Sequence, residues 1–150
     1  MADIKLRLAG PDDVPALVEM GARMHAESRY RYTRYSETKV HAQITKLIET
    51  GRVFVADRDG EIVGAIMGIC TAWWFSDDPV IFDFALYVAP EFRHRGVARL
   101  LIYAMQQWAQ EAGATLDIGI SSGVLMDQTG QLCESMGGER VGGIYTWRNA

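Results

Sequence analysis

The stretch that decides the fold is Leu86-Tyr87-Val88-Ala89-Pro90-Glu91-Phe92-Arg93-His94-Arg95-Gly96-Val97-Ala98-Arg99-Leu100-Leu101. Its apolar start is typical of a strand, Pro90 ends that strand, and apolar residues at helical spacing follow Gly96. The first turn of a helix has backbone N–H groups without partners and carries the positive end of the helix dipole, which favours an anion. Because glycine has no side chain, the backbone at Gly96 can approach that anion closely. The stretch therefore predicts a strand, a pyrophosphate-binding turn and a helix.

Positive charge is concentrated in this turn, although the chain as a whole is acidic. The turn contains Arg93, His94, Arg95 and Arg99, whereas the formal net charge of the chain is -4. A local cationic cluster in an acidic chain favours a specific anionic ligand over general affinity for nucleic acid. The alternative is an ordinary strand-to-helix turn, with arginines in solvent and a glycine that the geometry requires.

Length and composition indicate one globular domain over residues 1–150, since 49% of the residues are hydrophobic and 23% are charged. Cys70 and Cys133 lie far apart and fit neither a disulfide framework nor a metal-ligand spacing, so we expect no metal site and a reducing compartment. The first residues contain no apolar run of signal-peptide type. The longest uncharged run, Ile62–Ser76, is shorter than the roughly 20 residues of a membrane helix. These features predict a cytoplasmic protein without membrane association.

Periodicity along the chain predicts an α/β protein whose sheet is a mixed α+β sheet. In chain order the predicted elements are a strand over 4–8, helices over 11–28 and 36–50, strands over 52–58, 61–70 and 80–88, a helix over 97–112, a strand over 116–120, a helix over 127–136, and two closing strands joined at Gly142-Gly143. The strand–helix–strand unit around 97–112 implies a right-handed crossover between two parallel strands. We therefore expect about seven strands, mostly antiparallel, with one parallel crossover and about four helices.

The motif Arg93-x-x-Gly96-x-Ala98, between a strand and an amphipathic helix, resembles the acetyl-CoA signature of the GNAT superfamily of N-acetyltransferases. The order of predicted elements resembles that family's fold over essentially the whole chain. The resemblance implies an acyltransferase that uses acetyl-CoA as cosubstrate and acetylates a primary amine of a small molecule or protein. It also implies that the Val88 backbone aligns the thioester, and that the pyrophosphate is held by backbone N–H groups of Arg93, His94, Arg95, Gly96, Val97, Ala98 and Arg99. The alternative is a non-catalytic acyl-CoA-binding or regulatory module.

Asp83 is the candidate general base. An alkyl amine with a pKa near ~10 is almost wholly protonated at neutral pH, so a carboxylate commonly takes its proton. Asp83 is the only carboxylate in the strand that leads to the turn. The resembled family often places a glutamate one residue to either side of this position, and such an offset turns a strand side chain to the other face unless a bulge intervenes. The alternative is a structural carboxylate.

Cys133 is the candidate general acid, in the last predicted helix. Many members of the resembled family use a tyrosine there to protonate the departing thiolate, and the best alignment places Cys133 at the tyrosine position. A thiol with a reference pKa of ~8.5 could serve that purpose. Alternatively, Cys133 is a small apolar residue that packs on the sheet, which we favour.

The acceptor site is predicted near the connector between the first two helices, where Glu27 and Tyr30 are candidate substrate contacts. The segment Arg29–Tyr35 alternates arginine and tyrosine. Such a pattern could stack nucleobases, but we favour a connector that covers a pocket rim, and the acidic net charge also disfavours nucleic acid. A homodimer is compatible with the sequence, which leaves the assembly open.

The pyrophosphate turn generates the first testable prediction, because a side chain at position 96 would occupy the place of the phosphate. Acetyl-CoA should raise the melting temperature of the wild-type protein and leave that of Gly96→Val unchanged. Thermal-shift measurements with increasing acetyl-CoA check this. Equal stabilisation of the two proteins would contradict the assignment of the turn.

Overall fold

One five-stranded sheet organises residues 3–149, which are the residues that the computed structural model describes. The elements in chain order are β1 (Ile4–Leu8), α1 (Val14–Glu27), α2 (Glu37–Thr50), β2 (Arg52–Arg58), β3 (Glu61–Ala72), β4 (Pro79–Val88), α3 (Val97–Ala112), β5 (Thr115–Asp117) and α4 (Met126–Ser135). The strands lie in the order β1-β2-β3-β4-β5. The first four are antiparallel, and β5 runs parallel to β4 after the crossover through α3. The predicted mixed sheet and the four helices are confirmed.

The two faces of the sheet bury separate apolar clusters. On one face α1 and α2 contribute Leu17 and Ile44, and on the other face α3 contributes Leu101 and Met105, which pack with Ile81 of β4. Each of these side chains is at most 3% exposed. Burying a side chain of this size stabilises the fold by about 1.5–3 kcal/mol, so the helical apolar stripes fix both layers against the sheet.

β4 bends in its middle and then loses its neighbour on one side. Met67 of β3 pairs with Ala85 while Gly68 pairs with Asp83, so Phe84 is an extra residue that forms a β-bulge. A Cβ atom at position 68 would lie 2.3 Å from the carbonyl oxygen of Phe82, so the backbones approach closely because position 68 is glycine. On the other side, β5 pairs with β4 over three residues that end at Phe82. The space beside residues 83–88 of β4 is called the β4–β5 gap below.

The expectation of about seven strands is wrong for the described residues, which form five. Residues 139–149 have no regular secondary structure, and the side chains of Val141, Tyr145 and Trp147 are 83–86% exposed. β5 also ends at Asp117 instead of Ile120. The reason is that a strand needs a hydrogen-bonded neighbour as well as an alternating sequence, and β5 diverges from β4 after Asp117.

The helices of the described residues are all too short or too polar to cross a membrane. The longest, α3, has 16 residues. Its apolar side chains lie along one face, which packs on the sheet.

Candidate active site

The turn between β4 and α3 has the backbone geometry of an anion-binding site. His94 and Gly96 both have left-handed backbone conformations, with φ of 63° and 83°, and α3 begins directly afterwards at Val97. Left-handed residues that alternate along a turn direct successive N–H groups into a concave surface. The first N–H groups of α3 have no partner within the helix. A Cβ atom at Gly96 would meet no atom within 4 Å, so open space lies beside this turn. These features fit the pyrophosphate that the resemblance implies.

Side chains around the turn divide into an exposed cationic set and a buried apolar one. His94, Arg95 and Arg99 are exposed, and one guanidinium nitrogen of Arg99 donates a hydrogen bond to Ser135 Oγ on α4 at 3.2 Å. Val97 is 2% exposed and packs in the core, and Ala98 packs partly buried against the same cluster. The backbone of these last two residues therefore remains the part that could contact a ligand.

Arg93 binds Glu27 at the end of α1. Its two terminal nitrogens donate to the two carboxylate oxygens of Glu27 at 2.5 and 2.8 Å, and its Nε donates to the carbonyl oxygen of Val88 at 3.0 Å. The hydroxyl of Tyr87 also donates to Glu27, at 2.9 Å. Arg93, which was predicted to bind acetyl-CoA, and Glu27, which was predicted to contact the acceptor, thus bind each other in the structure.

These contacts keep Glu27 ionised. The hydrogen bonds from Arg93, with that from Tyr87, hold the pKa of Glu27 below its ordinary value, although burial acts in the opposite direction. A carboxylate with a lowered pKa is a poor proton acceptor. The pair instead joins α1 to the end of β4, across the edge of the sheet where the anion turn begins.

The backbone of Val88 faces the β4–β5 gap. Ala89 donates its N–H to the carbonyl of Val63 at 2.9 Å, so in the alternating antiparallel pattern the N–H and C=O of Val88 point away from β3. The carbonyl is taken by Arg93. The N–H of Val88 is therefore directed into the gap, where an extended ligand could lie along β4 in the manner of an added strand.

A large cavity lies beside Phe82 and Asp83, where the β4–β5 gap begins, and residues from both faces of the sheet line it. Its volume is about 1590 Å³. Arg29 and Tyr32 line it on the side of the α1–α2 connector, whereas Ile102 of α3 and Cys133 of α4 line it on the opposite side. Asp83 lies on the wall between them. The cavity lining does not include the anion turn or Val88, so these form a neighbouring part of the surface.

Asp83 stands where β4 and β5 separate. Its Oδ1 accepts a hydrogen bond from the N–H of Gly119 at 2.8 Å, which bridges the gap just beyond the last paired residues. Burial raises the pKa of Asp83 above its ordinary value, and the hydrogen bond from Gly119 opposes that rise without cancelling it. A raised pKa makes this carboxylate a stronger proton acceptor than Glu27.

Cys133 is half-buried on α4 and packs against the apolar cluster beneath the sheet. Burial, together with the negative charges of Asp83 and Glu134, raises the pKa of the Cys133 thiol. At neutral pH the sulfur is therefore protonated, which suits a proton donor or an apolar packing residue and does not suit a nucleophile. The structure brings Asp83 and Cys133 to the lining of one cavity.

The arginine- and tyrosine-rich segment forms a short 3-10 turn over Arg29–Tyr32 and packs on the loop after β5. The hydroxyl of Tyr30 lies 3.2 Å from Ser121 Oγ, and Arg29 donates to the carbonyl of Ser121. Tyr30 is thus a wall residue of the connector, and it is not among the residues that line the cavity. Sequence reasoning missed Gly119 and Ser121, because only their distant partners give them a role.

Neither the cysteines nor the acidic residues form a metal-ligand cluster within residues 3–149. The fold and these features define a class of protein. A mixed sheet whose fourth and fifth strands diverge, with a glycine-containing anion turn and a helix between those two strands, is the architecture expected of an acetyltransferase that uses an acyl-CoA.

Comparison with known protein families identifies the family of this chain. Residues 19–123 match the family described as "Acetyltransferase (GNAT) family", which is more than half of the chain. The chain belongs to this family. The expectation of an N-acetyltransferase, an acyltransferase with acetyl-CoA as its cosubstrate, is confirmed at the level of the family.

Solved structures show the same fold at low sequence identity. An aminoglycoside N-acetyltransferase AAC(6')-Iy in complex with CoA is 18% identical, with a TM-score of 0.79 over 99% of this chain and 96% of that chain. The same enzyme with the bisubstrate analogue CoA-S-monomethyl-acetylneamine gives 19% identity and a TM-score of 0.78, with 99% of each chain covered. An acetyltransferase of Trypanosoma brucei is 15% identical, with a TM-score of 0.75 over 98% of this chain and 100% of that chain. A comparison with curated proteins found no match.

The Arg93–Glu27 pair generates a prediction about stability. Glu27→Gln should lower the free energy of unfolding at pH 7 by about 1–3 kcal/mol, because a half-buried guanidinium loses its charged partner. Since the folded-state pKa of Glu27 is lowered, its contribution is fully present above the unfolded-state pKa and is lost as pH falls through the folded-state pKa. The difference between the two proteins should therefore shrink in acid, as urea unfolding at a series of pH values would show.

Glu91→Gln is the matched control, since Glu91 forms a longer and more exposed ion pair with Arg23, at 3.4 Å. Its effect should stay within about 0.5 kcal/mol at every pH. Equal effects of the two substitutions would contradict the structural role of the Arg93–Glu27 pair.

Proposed function

We propose that this N-acetyltransferase depends on acetyl-CoA and acetylates a primary amine of a small cationic molecule, with residues 1–150 acting as one acetyltransferase domain. The observation that carries the proposal is the cavity at the start of the β4–β5 gap, with the partly buried carboxylate of Asp83 on its wall. In this arrangement the acceptor occupies the cavity, and the acyl arm of the donor reaches it along β4 from the neighbouring anion turn. The volume of about 1590 Å³ is ample for a small amine.

Acetyl-CoA, when bound, supplies the activated acetyl group, and residues of this chain provide the rest of the chemistry. The N–H groups between His94 and Arg99 bind the pyrophosphate, aided by the positive end of α3. The N–H of Val88 donates a hydrogen bond to the acyl arm and orients it along β4. Arg93 contributes indirectly, since it holds the Val88 carbonyl and leaves the N–H free to face the gap.

Asp83 accepts the proton of the attacking amine, directly or through a water molecule. Proton removal is required because the nitrogen lone pair of a protonated amine is unavailable for attack. The nitrogen then bonds to the acetyl carbon, and the bond from that carbon to the CoA sulfur breaks. Cys133 lies close enough to Asp83 for the charge of that carboxylate to raise the pKa of its thiol. The CoA thiolate is itself a fair leaving group near neutral pH, so it leaves without a dedicated acid and takes a proton from water.

The charge of the cavity supports a cationic acceptor. Five carboxylates line it, namely Asp83, Asp117, Asp127, Glu134 and Glu139. Four arginines are also present, but the guanidinium of Arg29 is already bound by protein groups and that of Arg148 lies over the ring of Tyr32. The likeness to aminoglycoside N-acetyltransferases, although it shows only the fold, supports placing amino sugars in the first acceptor panel.

The proposal is tested by CoA release from acetyl-CoA with a panel of amines. The panel contains an aminoglycoside, a linear polyamine, a lysine-containing peptide, a neutral primary amine and an amine that carries a carboxylate. We expect turnover above the hydrolysis background with a cationic acceptor, and none with Gly96→Val. Acetyl-CoA binding without turnover on any acceptor would favour the non-catalytic module, and preference for the anionic amine would contradict the charge argument.

Asp83 and Cys133 are distinguished by single substitutions. Asp83→Asn should lower kcat by roughly 10²–10⁴, and it should abolish the fall in wild-type activity that occurs as pH drops through the raised pKa of Asp83. Cys133→Ala should leave kcat within a few-fold. Steady-state kinetics over a pH series measure both, with acetyl-CoA affinity and melting temperature as controls. A large fall in kcat for Cys133→Ala at unchanged affinity and folding would make Cys133 the proton donor.

A further inference from the structure

Arg29 joins three separate segments around the cavity. Its Nε donates to the carbonyl of Ser121 and its backbone N–H donates to the carbonyl of Ser122 at 2.8 Å, so it holds the loop after β5 at two adjacent peptides. One terminal nitrogen donates to Thr146 Oγ1 at 3.0 Å, and the other donates to the hydroxyl of Tyr30 at 2.9 Å. The guanidinium carbon also lies 4.3 Å from the centre of the Tyr30 ring.

The loop that Arg29 holds is the one that reaches Asp83. β5 ends at Asp117, and Gly119 then donates its N–H to the Asp83 carboxylate at 2.8 Å. Residues 118–122 leave the sheet at this point, so the ladder of strand hydrogen bonds no longer fixes their distance from β4. Asp83 anchors this loop from β4, and Arg29 anchors it from the α1–α2 connector two residues farther along the chain.

Arg29 also packs closely against the backbone of the loop after β5, at Gly123. Gly123 has φ of 78°, and a Cβ atom there would lie 3.2 Å from the Cβ atom of Arg29. Each of the three nitrogens of the guanidinium already donates to a protein oxygen. Three of its five N–H donors thus bind protein oxygens, which fixes the orientation of the guanidinium.

We propose that Arg29 is a positioning residue, which holds residues 119–122 at the distance from β4 that keeps the β4–β5 gap open and the Asp83 carboxylate in place. The inference rests on the proposed function in one respect, namely that Asp83 faces the reacting amine. Arg29 lines the cavity, but its guanidinium nitrogens bind protein oxygens. Its action passes through Ser121 and Gly119 to Asp83.

A double-mutant cycle between Arg29 and Asp83 tests this, since the two side chains are not in contact and independent sites give additive effects. The single variants are Arg29→Ala, Arg29→Lys and Asp83→Asn. Each Arg29 substitution is also combined with Asp83→Asn to give two double variants. We expect Arg29→Ala to lower kcat about 10- to 100-fold, with the KM for acetyl-CoA changed less than about threefold, because a displaced reacting group costs rate while the pyrophosphate turn is untouched. In the Asp83→Asn background the same substitution should lower kcat less than about twofold.

Arg34→Ala is the matched control, because Arg34 is exposed on the same connector and does not line the cavity. It should leave kcat within about twofold, and its effect should be additive with that of Asp83→Asn. Arg29→Lys keeps the charge but cannot donate through an Nε fork, so its kcat should stay close to that of Arg29→Ala. Full activity of Arg29→Lys, or additivity of Arg29→Ala with Asp83→Asn, would overturn the proposal.

Two readouts do not depend on turnover. Arg29→Ala and Arg29→Lys should each accelerate hydrogen exchange at the Gly119 amide and displace its NMR signal, as Asp83→Asn should, whereas Arg34→Ala should leave the amide unchanged. The effects of Arg29→Ala and Asp83→Asn on the unfolding equilibrium constant should also be non-additive. If the wild type shows no acetyl transfer but these couplings appear, the proposed function fails and the positioning role stands. An unperturbed Gly119 amide in folded Arg29→Ala and Arg29→Lys removes the role itself.

Discussion

The divergence of β4 and β5 after Phe82 is the constraint on which the rest of the structure depends. Two parallel strands that stayed paired would satisfy each other's backbone groups and leave no opening in the sheet. Here the bulge at Phe84 redirects β4, and pairing with β5 lasts only three residues. The separation leaves the N–H of Val88 directed into open space and places the cavity across the sheet. The close approach of β3 and β4 at Gly68, where a side chain would meet the Phe82 carbonyl, makes this bend possible.

An opening between two strands of a sheet must be held by side chains, because strand hydrogen bonds are lost there. Two arginines do this from opposite ends. Arg93 binds Glu27 and the Val88 carbonyl, which joins α1 to the end of β4, while Arg29 binds the loop that follows β5. Arginine suits both positions, since its planar fork can donate to several oxygens at once in a fixed geometry. The arginines nearest the predicted sites thus serve largely as structural ties, and the candidate anion site relies on backbone N–H groups.

Two carboxylates near the gap have opposite environments and hence different chemistry. Hydrogen bonds from Arg93 and Tyr87 lower the pKa of Glu27, whereas burial raises the pKa of Asp83. A pair of titratable groups whose environments shift their pKa values apart is a common arrangement in acid–base catalysis. Glu27, with the lowered pKa, stabilises the fold through its ion pair with Arg93, and Asp83, with the raised pKa, is the better proton acceptor.

The sequence by itself determined the features that depend on neighbouring residues. The periodicity of α3, the turn at Gly96 and the order of elements are local properties, so they identified the mixed sheet and the family. Only the tertiary structure decided that Arg93 binds Glu27, that Gly119 binds Asp83, and that residues 139–149 stay outside the sheet. The first two contacts join residues far apart in the chain, and a strand such as the predicted one at Tyr145 exists only where another strand pairs with it. Asp83 depends on both levels. Its place before the turn could be read from the sequence, whereas its partial burial and the bulge at the neighbouring Phe84 arise only when β3 and β4 pair in the folded protein.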